Sequence, residues 1–311
     1  MATRAPLVIS VPEPVYADGL ADVDGVESVV WDLRAPHERQ AEFRLVVPRY
    51  ISVPPAERLQ GLPALEVVQL LTAGYDSVLP VMPDGVTLCS GGGIHDASTA
   101  ELALTLTLAS LRSIPQHVMA QAQESWAPQR IWGALADKRV LVVGYGRIGH
   151  AIVRRFAPFE VSLTVVASRA RAGDDLVERV HGIDELSGLV ACADVLVVIV
   201  PLTDSTHGLV DADLLARLPD DALVVNVARG AIIDTDALVQ ACATGRIRAA
   251  IDVTDPEPLP PGHPLWRTPG VLITPHVGGA TSAMAPRAAA LLRRQVEALR
   301  DGTPLINVIE R

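Results

Sequence analysis

Residues 139–150 read Arg139-Val140-Leu141-Val142-Val143-Gly144-Tyr145-Gly146-Arg147-Ile148-Gly149-His150. A Val-rich run ends on Gly-x-Gly-x-x-Gly, and helix-compatible sequence follows directly. Alone the pattern is weak; a strand before it and an amphipathic helix after it, inside one βαβ unit, supply the context it needs. Gly144 permits a tight turn, Gly146 lets the backbone approach a pyrophosphate, and Gly149 allows close helix–strand packing. The helix N-terminus then offers free N–H groups and a partial positive charge to the anion. The stretch predicts a dinucleotide-binding α/β unit.

Working outward, strand-like runs end at Val143, Ala167, Val200, Val227, Val253 and Thr274, each separated by helix-compatible sequence. The runs are continuous rather than alternating, as in parallel strands covered on both faces. Six such runs suit a doubly wound parallel (Rossmann) sheet. Toward the N-terminus, Leu7–Val11, Ser28–Asp32, Leu45–Val47, Val67–Leu71 and Val86–Cys89 read as short strands, with a helix over Pro54–Leu62. This predicts a smaller, flavodoxin-like α/β domain. Between the two regions a long apolar helix is expected from about Ser98 to Val118. Ser98 and Glu101 form a capping-box signature, and Leu102, Leu104, Leu106, Leu108 and Leu111 supply apolar surface on more than one face. A last helix runs from Thr281 to about Arg300, and the tail Pro304–Ile309 is expected to return to the first domain. The expected boundaries are 1–95 with 282–311 for a substrate domain and 96–281 for the cofactor domain, with a cleft between them.

The composition agrees with two globular cores. Hydrophobic residues make up 49% of the 311 and aromatic residues only 4%, so the cores must be aliphatic. A net charge of −10 argues against a nucleic-acid partner without excluding small anions. No run of about 18 apolar residues is present, so no transmembrane helix or membrane partner is expected. The N-terminal apolar run is short and followed by prolines, which reads as a strand rather than a secretory segment. Cys89, Cys192 and Cys242 lie far apart without metal-ligand spacing, pointing to reduced thiols in a cytoplasm and to no metal site.

After the strand Ser162–Ala167 the chain reads Ser168-Arg169-Ala170-Arg171, with no acid before Asp174. An NAD site places a carboxylate near that strand end for the ribose 2′-OH. A hydroxyl and two guanidinium groups instead suit a 2′-phosphate, so NADP(H) is favoured, with NAD(H) as the alternative. Further on, Arg229, Glu257 and His276 each follow a predicted strand end, where ligands bind in this fold. An Arg can hold a carboxylate and polarise a carbonyl, and a His oriented by a carboxylate can deliver a proton.

These residues resemble the D-2-hydroxyacid dehydrogenase family, nearest to its glyoxylate/hydroxypyruvate reductase-like members. The resemblance covers roughly residues 65–309 and is strongest from Val140 to Gly279. It rests on the glycine motif, Val200-Pro201-Leu202-Thr203-Asp204-Ser205-Thr206, Asn226-Val227-Ala228-Arg229-Gly230, Asp252 with Glu257-Pro258, and Thr274-Pro275-His276-Val277-Gly278-Gly279. It implies hydride transfer between NAD(P)H and a small 2-oxo acid, with His276 as general acid/base, Glu257 its partner and Arg229 the substrate clamp. Asp252 is then expected near the nicotinamide, with Arg147, Ile148, Pro201, Thr206, Ala228 and Gly278 at the cofactor. The loop Thr72-Ala73-Gly74-Tyr75-Asp76 looks like the substrate-carboxylate loop, with Ala73 and Gly74 presenting N–H groups. A homodimer is the family expectation. The stretch Ser90-Gly91-Gly92-Gly93-Ile94-His95-Asp96 is richer in Gly than the family's usual version, and His95 has no role by resemblance; a hinge or cap position is its plain reading. Two other functions stay open: formate- or phosphite-type oxidation on the same scaffold, and a non-catalytic nicotinamide sensor.

Overall fold

The computed structural model describes residues 6–310. Met1–Ala5 and Arg311, inside the span expected for the first domain, lie outside the described residues. The chain divides into two compact units, Met1–His95 with Gly279–Arg311, and Asp96–Gly278.

In the first unit, β1 (Leu7–Val11), α1 (Pro14–Asp18), β2 (Val26–Val30), β3 (Leu45–Val46), α2 (Ala56–Gln60), β4 (Val67–Gln69) and β5 (Thr87–Cys89) follow one another. The strands form one parallel sheet in the order β2-β1-β3-β4-β5. All five residues of β1 are buried. Leu7, Ile9 and Val11 pack against Tyr16, Leu291, Leu292 and Val296, while Val8 joins Trp31, Phe43 and Leu88 on the other face. Burial on both faces explains why the strand reads as a continuous apolar run. The C-terminal helix Met284–Asp301 supplies much of the first face and stops at Gly302, whose φ of 67° is the left-handed conformation of a helix end. The tail then runs back along β5, with Ser90 N–H donating to Asn307 O and Ile309 N–H to Leu88 O, both at 2.9 Å.

The second unit contains α3 (Asp96–Leu111), α4 (Ile114–Ala122), β6 (Arg139–Val143), α5 (Arg147–Phe156), β7 (Ser162–Ala167), β8 (Arg171–Ala172), β9 (Arg179–Gly182), α6 (Leu186–Leu189), β10 (Val195–Val198), α7 (Ala212–Arg217), β11 (Leu223–Asn226), α8 (Thr235–Ala243), β12 (Arg248–Ile251) and β13 (Val271–Ile273). Its eight strands are ordered β13-β12-β11-β10-β6-β7-β9-β8, and only β8 is antiparallel. The chain order reverses at β6 and β10, the switch point where this class of sheet binds ligands. Leu141, Val143, Leu196 and Val198 serve one core; Val140, Val142, Val195 and Val197 serve the other.

The long helix expected over 98–118 is two helices. Pro115 falls in the first turn of α4, where its missing N–H is harmless, and it could not continue the preceding helix. Ser113, at the break, takes a left-handed φ of 49°. Ser98 lies inside the first turn of α3 and does not cap it; Glu101 instead accepts from Arg155 of α5 at 3.4 Å. The leucine stripe also divides differently. Ala100, Ala103, Leu106 and Leu111 are buried, whereas Leu102, Leu104 and Leu108 are only partly covered.

Among the described residues no helix is long and apolar enough to cross a membrane. All three cysteines are free, Cys192 exposed and the other two buried; burial raises the Cys89 and Cys242 thiols to about 11. Because Leu292 is fully buried at the centre of the C-terminal helix, Leu292→Ala is expected to destabilise the protein by about 2–5 kcal/mol in urea unfolding. A loss below about 1 kcal/mol would show that this helix is not part of the core.

Candidate active site

The glycine loop between β6 and α5 is built by backbone meeting backbone. Gly144 has a φ of 113°, and a Cβ there would lie 2.1 Å from the Ile199 carbonyl oxygen. A Cβ on Gly149 would lie 1.9 Å from the Gly144 carbonyl oxygen, so helix and turn touch directly. Around Gly146 nothing comes within 4 Å of the Cβ position, leaving the backbone open to a ligand. Gly146 caps α5 without a side-chain hydrogen bond, so the first-turn N–H groups receive no cap. This cradle has the shape and polarity a pyrophosphate needs. Ile148 packs inward at the edge of the core, and exposed Arg147 donates to Asp96 at 3.1 Å.

At the end of β7, Ser168 and Arg169 are exposed, and among the described residues their side chains have no partner. Arg171 differs. It lies in β8, donates to the Tyr145 carbonyl at 2.8 Å and sits over the Tyr145 ring. The β8–β9 hairpin also carries Asp174 to the Tyr145 hydroxyl, which donates to it at 2.8 Å. Burial and this hydrogen bond push the Tyr145 hydroxyl well above its ordinary pKa. Burial opposes ionisation of Asp174, but the Leu176 and Val177 amides and the Tyr145 hydroxyl outweigh it and hold the carboxyl below the usual range. Of the guanidinium groups of Arg169 and Arg171, that of Arg171 is committed to Tyr145 and that of Arg169 has no partner among the described residues.

Three adjacent parallel strands then end in register, with Asn226 beside Ile251 and residues up to Ile251 beside Ile273. Arg229, Asp252 and His276 follow these ends. Buried Asn226 shapes the first turn, its amide donating to the Arg229 carbonyl at 2.8 Å and accepting from the Ala228 N–H at 3.0 Å. Half-buried Arg229 donates to the Ala228 carbonyl at 2.7 Å. Gly230 abuts the next loop so closely that a Cβ would lie 2.0 Å from the Thr254 carbonyl. Asp252 is 2% exposed and collects the third loop. Its Oδ1 accepts from the Thr274 hydroxyl at 2.6 Å and the Val277 N–H at 2.9 Å, and its Oδ2 from the Gly278 N–H at 2.8 Å. Oδ2 retains room for a further donor. His276, between these anchors, has a left-handed φ of 52° and donates its N–H to the Asp252 carbonyl at 2.7 Å. Its Nδ1 lies 2.5 Å from Glu257 Oε1.

The structure thus brings His276 and Glu257 into direct contact and sets Arg229 after β11, with β12 between that strand and β13. In the stretch after β10, the Thr206 hydroxyl donates to the Pro201 carbonyl at 2.6 Å and accepts from the Thr203 N–H, so its observed work is to close that turn. Ala73 and Gly74 belong to the first unit; among the described residues their N–H groups have no partner. Asn226, Thr274 and Gly230 carry site geometry that the sequence reading assigned to no one. A polar residue closing an otherwise apolar strand, as in Leu223-Val224-Val225-Asn226, was the available signal.

Residues 104–278 match the family model described as D-isomer specific 2-hydroxyacid dehydrogenase, NAD binding domain. A glyoxylate reductase/hydroxypyruvate reductase from Mus musculus is 35% identical over 224 residues, covering 70% of this chain and 68% of that one. A D-isomer specific 2-hydroxyacid dehydrogenase from Xanthobacter autotrophicus Py2, solved with NADPH and MES, superposes with a TM-score of 0.85 at 28% identity, covering 99% of this chain and 98% of that one. An NADPH-dependent glyoxylate/hydroxypyruvate reductase from Sinorhizobium meliloti, solved with NADP and malonate, gives 0.82 at 27% identity, covering 98% and 97%. With the glycine cradle and the histidine–carboxylate pair in place, the chain belongs to the D-isomer specific 2-hydroxyacid dehydrogenases, enzymes that work with a nicotinamide cofactor.

Proposed function

We propose that the chain reduces a small 2-oxo acid to the D-2-hydroxy acid, with NADPH favoured over NADH. The observation that carries this is the 2.5 Å contact between His276 Nδ1 and Glu257 Oε1, at the same sheet edge as Arg229. A carboxylate can only accept, so Nδ1 carries a proton and Nε2 is left to face the substrate. His276 then gives the Nε2 proton to the carbonyl oxygen in reduction and takes it back in oxidation. Glu257 fixes the ring's orientation and tautomer. Arg229 holds a substrate oxygen and offsets the negative charge that develops there. The N–H groups of Ala73 and Gly74 receive the substrate carboxylate, a role supported by their having no partner among the described residues.

When bound, the nicotinamide cofactor supplies the hydride for the carbonyl carbon. Gly144, Gly146, Arg147, Ile148 and Gly149 hold its pyrophosphate, with Pro201, Thr206, Ala228, Asp252 and Gly278 along the rest of it. Ser168 and Arg169 receive a 2′-phosphate; one relative solved with NADPH and another named an NADPH-dependent reductase support that preference.

The same reading takes the protein as a cytoplasmic homodimer. Free, widely separated thiols support the compartment. For the dimer, the support is an apolar surface on and after α4: Val118 and Met119 are mostly exposed, Trp126 is 90% exposed and Ile131 100%. A second copy is the occupant that would bury it. In sedimentation experiments the wild type is expected as a dimer and Met119→Asp/Ile131→Asp as a monomer; a monomeric wild type at micromolar concentration overturns this.

His276→Ala is expected to lower kcat by roughly 100- to 10,000-fold. Near-unchanged kcat at saturating substrate would remove His276 from its role. Nicotinamide absorbance assays against glyoxylate, hydroxypyruvate, pyruvate and a phenyl-substituted oxo acid test the substrate class. In the same assay Arg169→Ala is expected to cost about 10- to 100-fold in kcat/KM with NADPH and to leave NADH nearly untouched, as for a lost charge-assisted hydrogen bond. Equal effects on both cofactors would discard the phosphate-binding role.

A further inference from the structure

At the C-terminal edge of the first unit's sheet, three consecutive carbonyls are each claimed by a separate donor. The buried Gln69 amide, at the end of β4, donates to Leu70 O at 2.8 Å and reaches Ser90 O at 3.0 Å. His95 Nε2 lies 2.7 Å from Leu71 O. Gly91 N–H donates to Thr72 O at 2.7 Å. The Thr72 hydroxyl then donates to Gly74 O at 2.7 Å. Because a trans peptide points its C=O and N–H in opposite directions, fixing a carbonyl also fixes the next residue's N–H. Gly91 therefore sets the Ala73 N–H, and His95 sets the peptide plane at the root of the same loop.

Leu71 O can only accept, so His95 must carry its proton on Nε2. The ring is 5% exposed and cannot swing away. It packs on Tyr50 with centroids 5.2 Å apart. Gly279 stands against both rings: a Cβ there would lie 2.8 Å from His95 Nδ1 and 2.3 Å from the Tyr50 hydroxyl. Leu71 O also leaves no space for a side chain at Gly91, whose Cβ would lie 2.5 Å from it. Gly91 thus lets the segment after β5 lie directly on the loop root.

We propose that His95 is the positioning residue of the carboxylate loop: its Nε2–H holds the Leu71 carbonyl so that the Ala73 and Gly74 N–H groups stay presented to the substrate carboxylate. This rests on the reading of Thr72–Asp76 as that loop, and Gly74→Pro, which deletes one of the N–H groups, tests that reading separately. His95→Leu is expected to raise KM for the 2-oxo acid roughly 5- to 20-fold, as for a lost hydrogen bond. The value of kcat stays within about twofold, since His276 and Glu257 are untouched, and the Kd for NADPH does not move. His95→Gln, which keeps an N–H donor, is expected to recover most of the KM. Where His95→Leu does not fold by circular dichroism, His95→Ala takes its place. A raised KM in Gly74→Pro beside an unchanged KM in His95→Leu overturns the positioning role alone. Equal defects in His95→Gln and His95→Leu overturn it too, because the donor would then not matter. An unchanged KM in Gly74→Pro overturns the loop reading and the proposal together.

Discussion

A parallel sheet buried on both faces can place polar chemistry only at its ends. In the second unit Val140–Val143, Val195–Val198 and Leu223–Val225 are closed to water on either side. Charged or hydrogen-bonding groups within those runs would carry a desolvation cost with no partner to offset it. Polar residues therefore begin where the apolar runs stop: Asn226 at the last position of β11, Asp252 just after β12, Thr274 just after β13. Since the strands are parallel and in register, those stops lie along one edge. The site follows from that alignment, and each loop needs only local bonds to aim its side chain.

Asp252 shows how much one buried carboxylate can organise. Two amides and a hydroxyl converge on it, and together they hold the loop in which His276 adopts its left-handed backbone. A non-glycine residue in that conformation costs free energy, which the converging bonds offset. The His276 ring is thereby delivered to Glu257 by backbone geometry.

The regular parts of this architecture were legible in the residues. Gly144, Gly146 and Gly149 differ in what surrounds them as the pattern demands: a carbonyl against the first, open space at the second, a backbone turn against the third. The continuous Val-rich runs located the strands because double burial leaves a strong signal. What escaped notice lacks such a signal. Strand β8 is two exposed residues, Arg171 and Ala172, with no apolar period to read, so neither the hairpin nor the commitment of Arg171 to Tyr145 could be foreseen. The break at Ser113 was masked by leucines that continue the helical period up to it, although Pro115 marked it. His95 contacts residues 24 and 184 positions away, Leu71 and Gly279, and pattern within a segment says nothing about such pairs.

The division of the chain has a consequence for the order in which it is made. The second unit is contiguous, and its last strand, β13, is complete at Ile273. The first unit's strands emerge earlier, yet Leu7, Ile9 and Val11 await Leu291, Leu292 and Val296 to cover one of their faces. During synthesis the later-made unit is therefore the first able to close both its cores, while the N-terminal sheet waits with apolar surface uncovered until the final helix leaves the ribosome. A shortage of that helix, as in a prematurely ended chain, would expose an aliphatic face of the kind that associates with other chains.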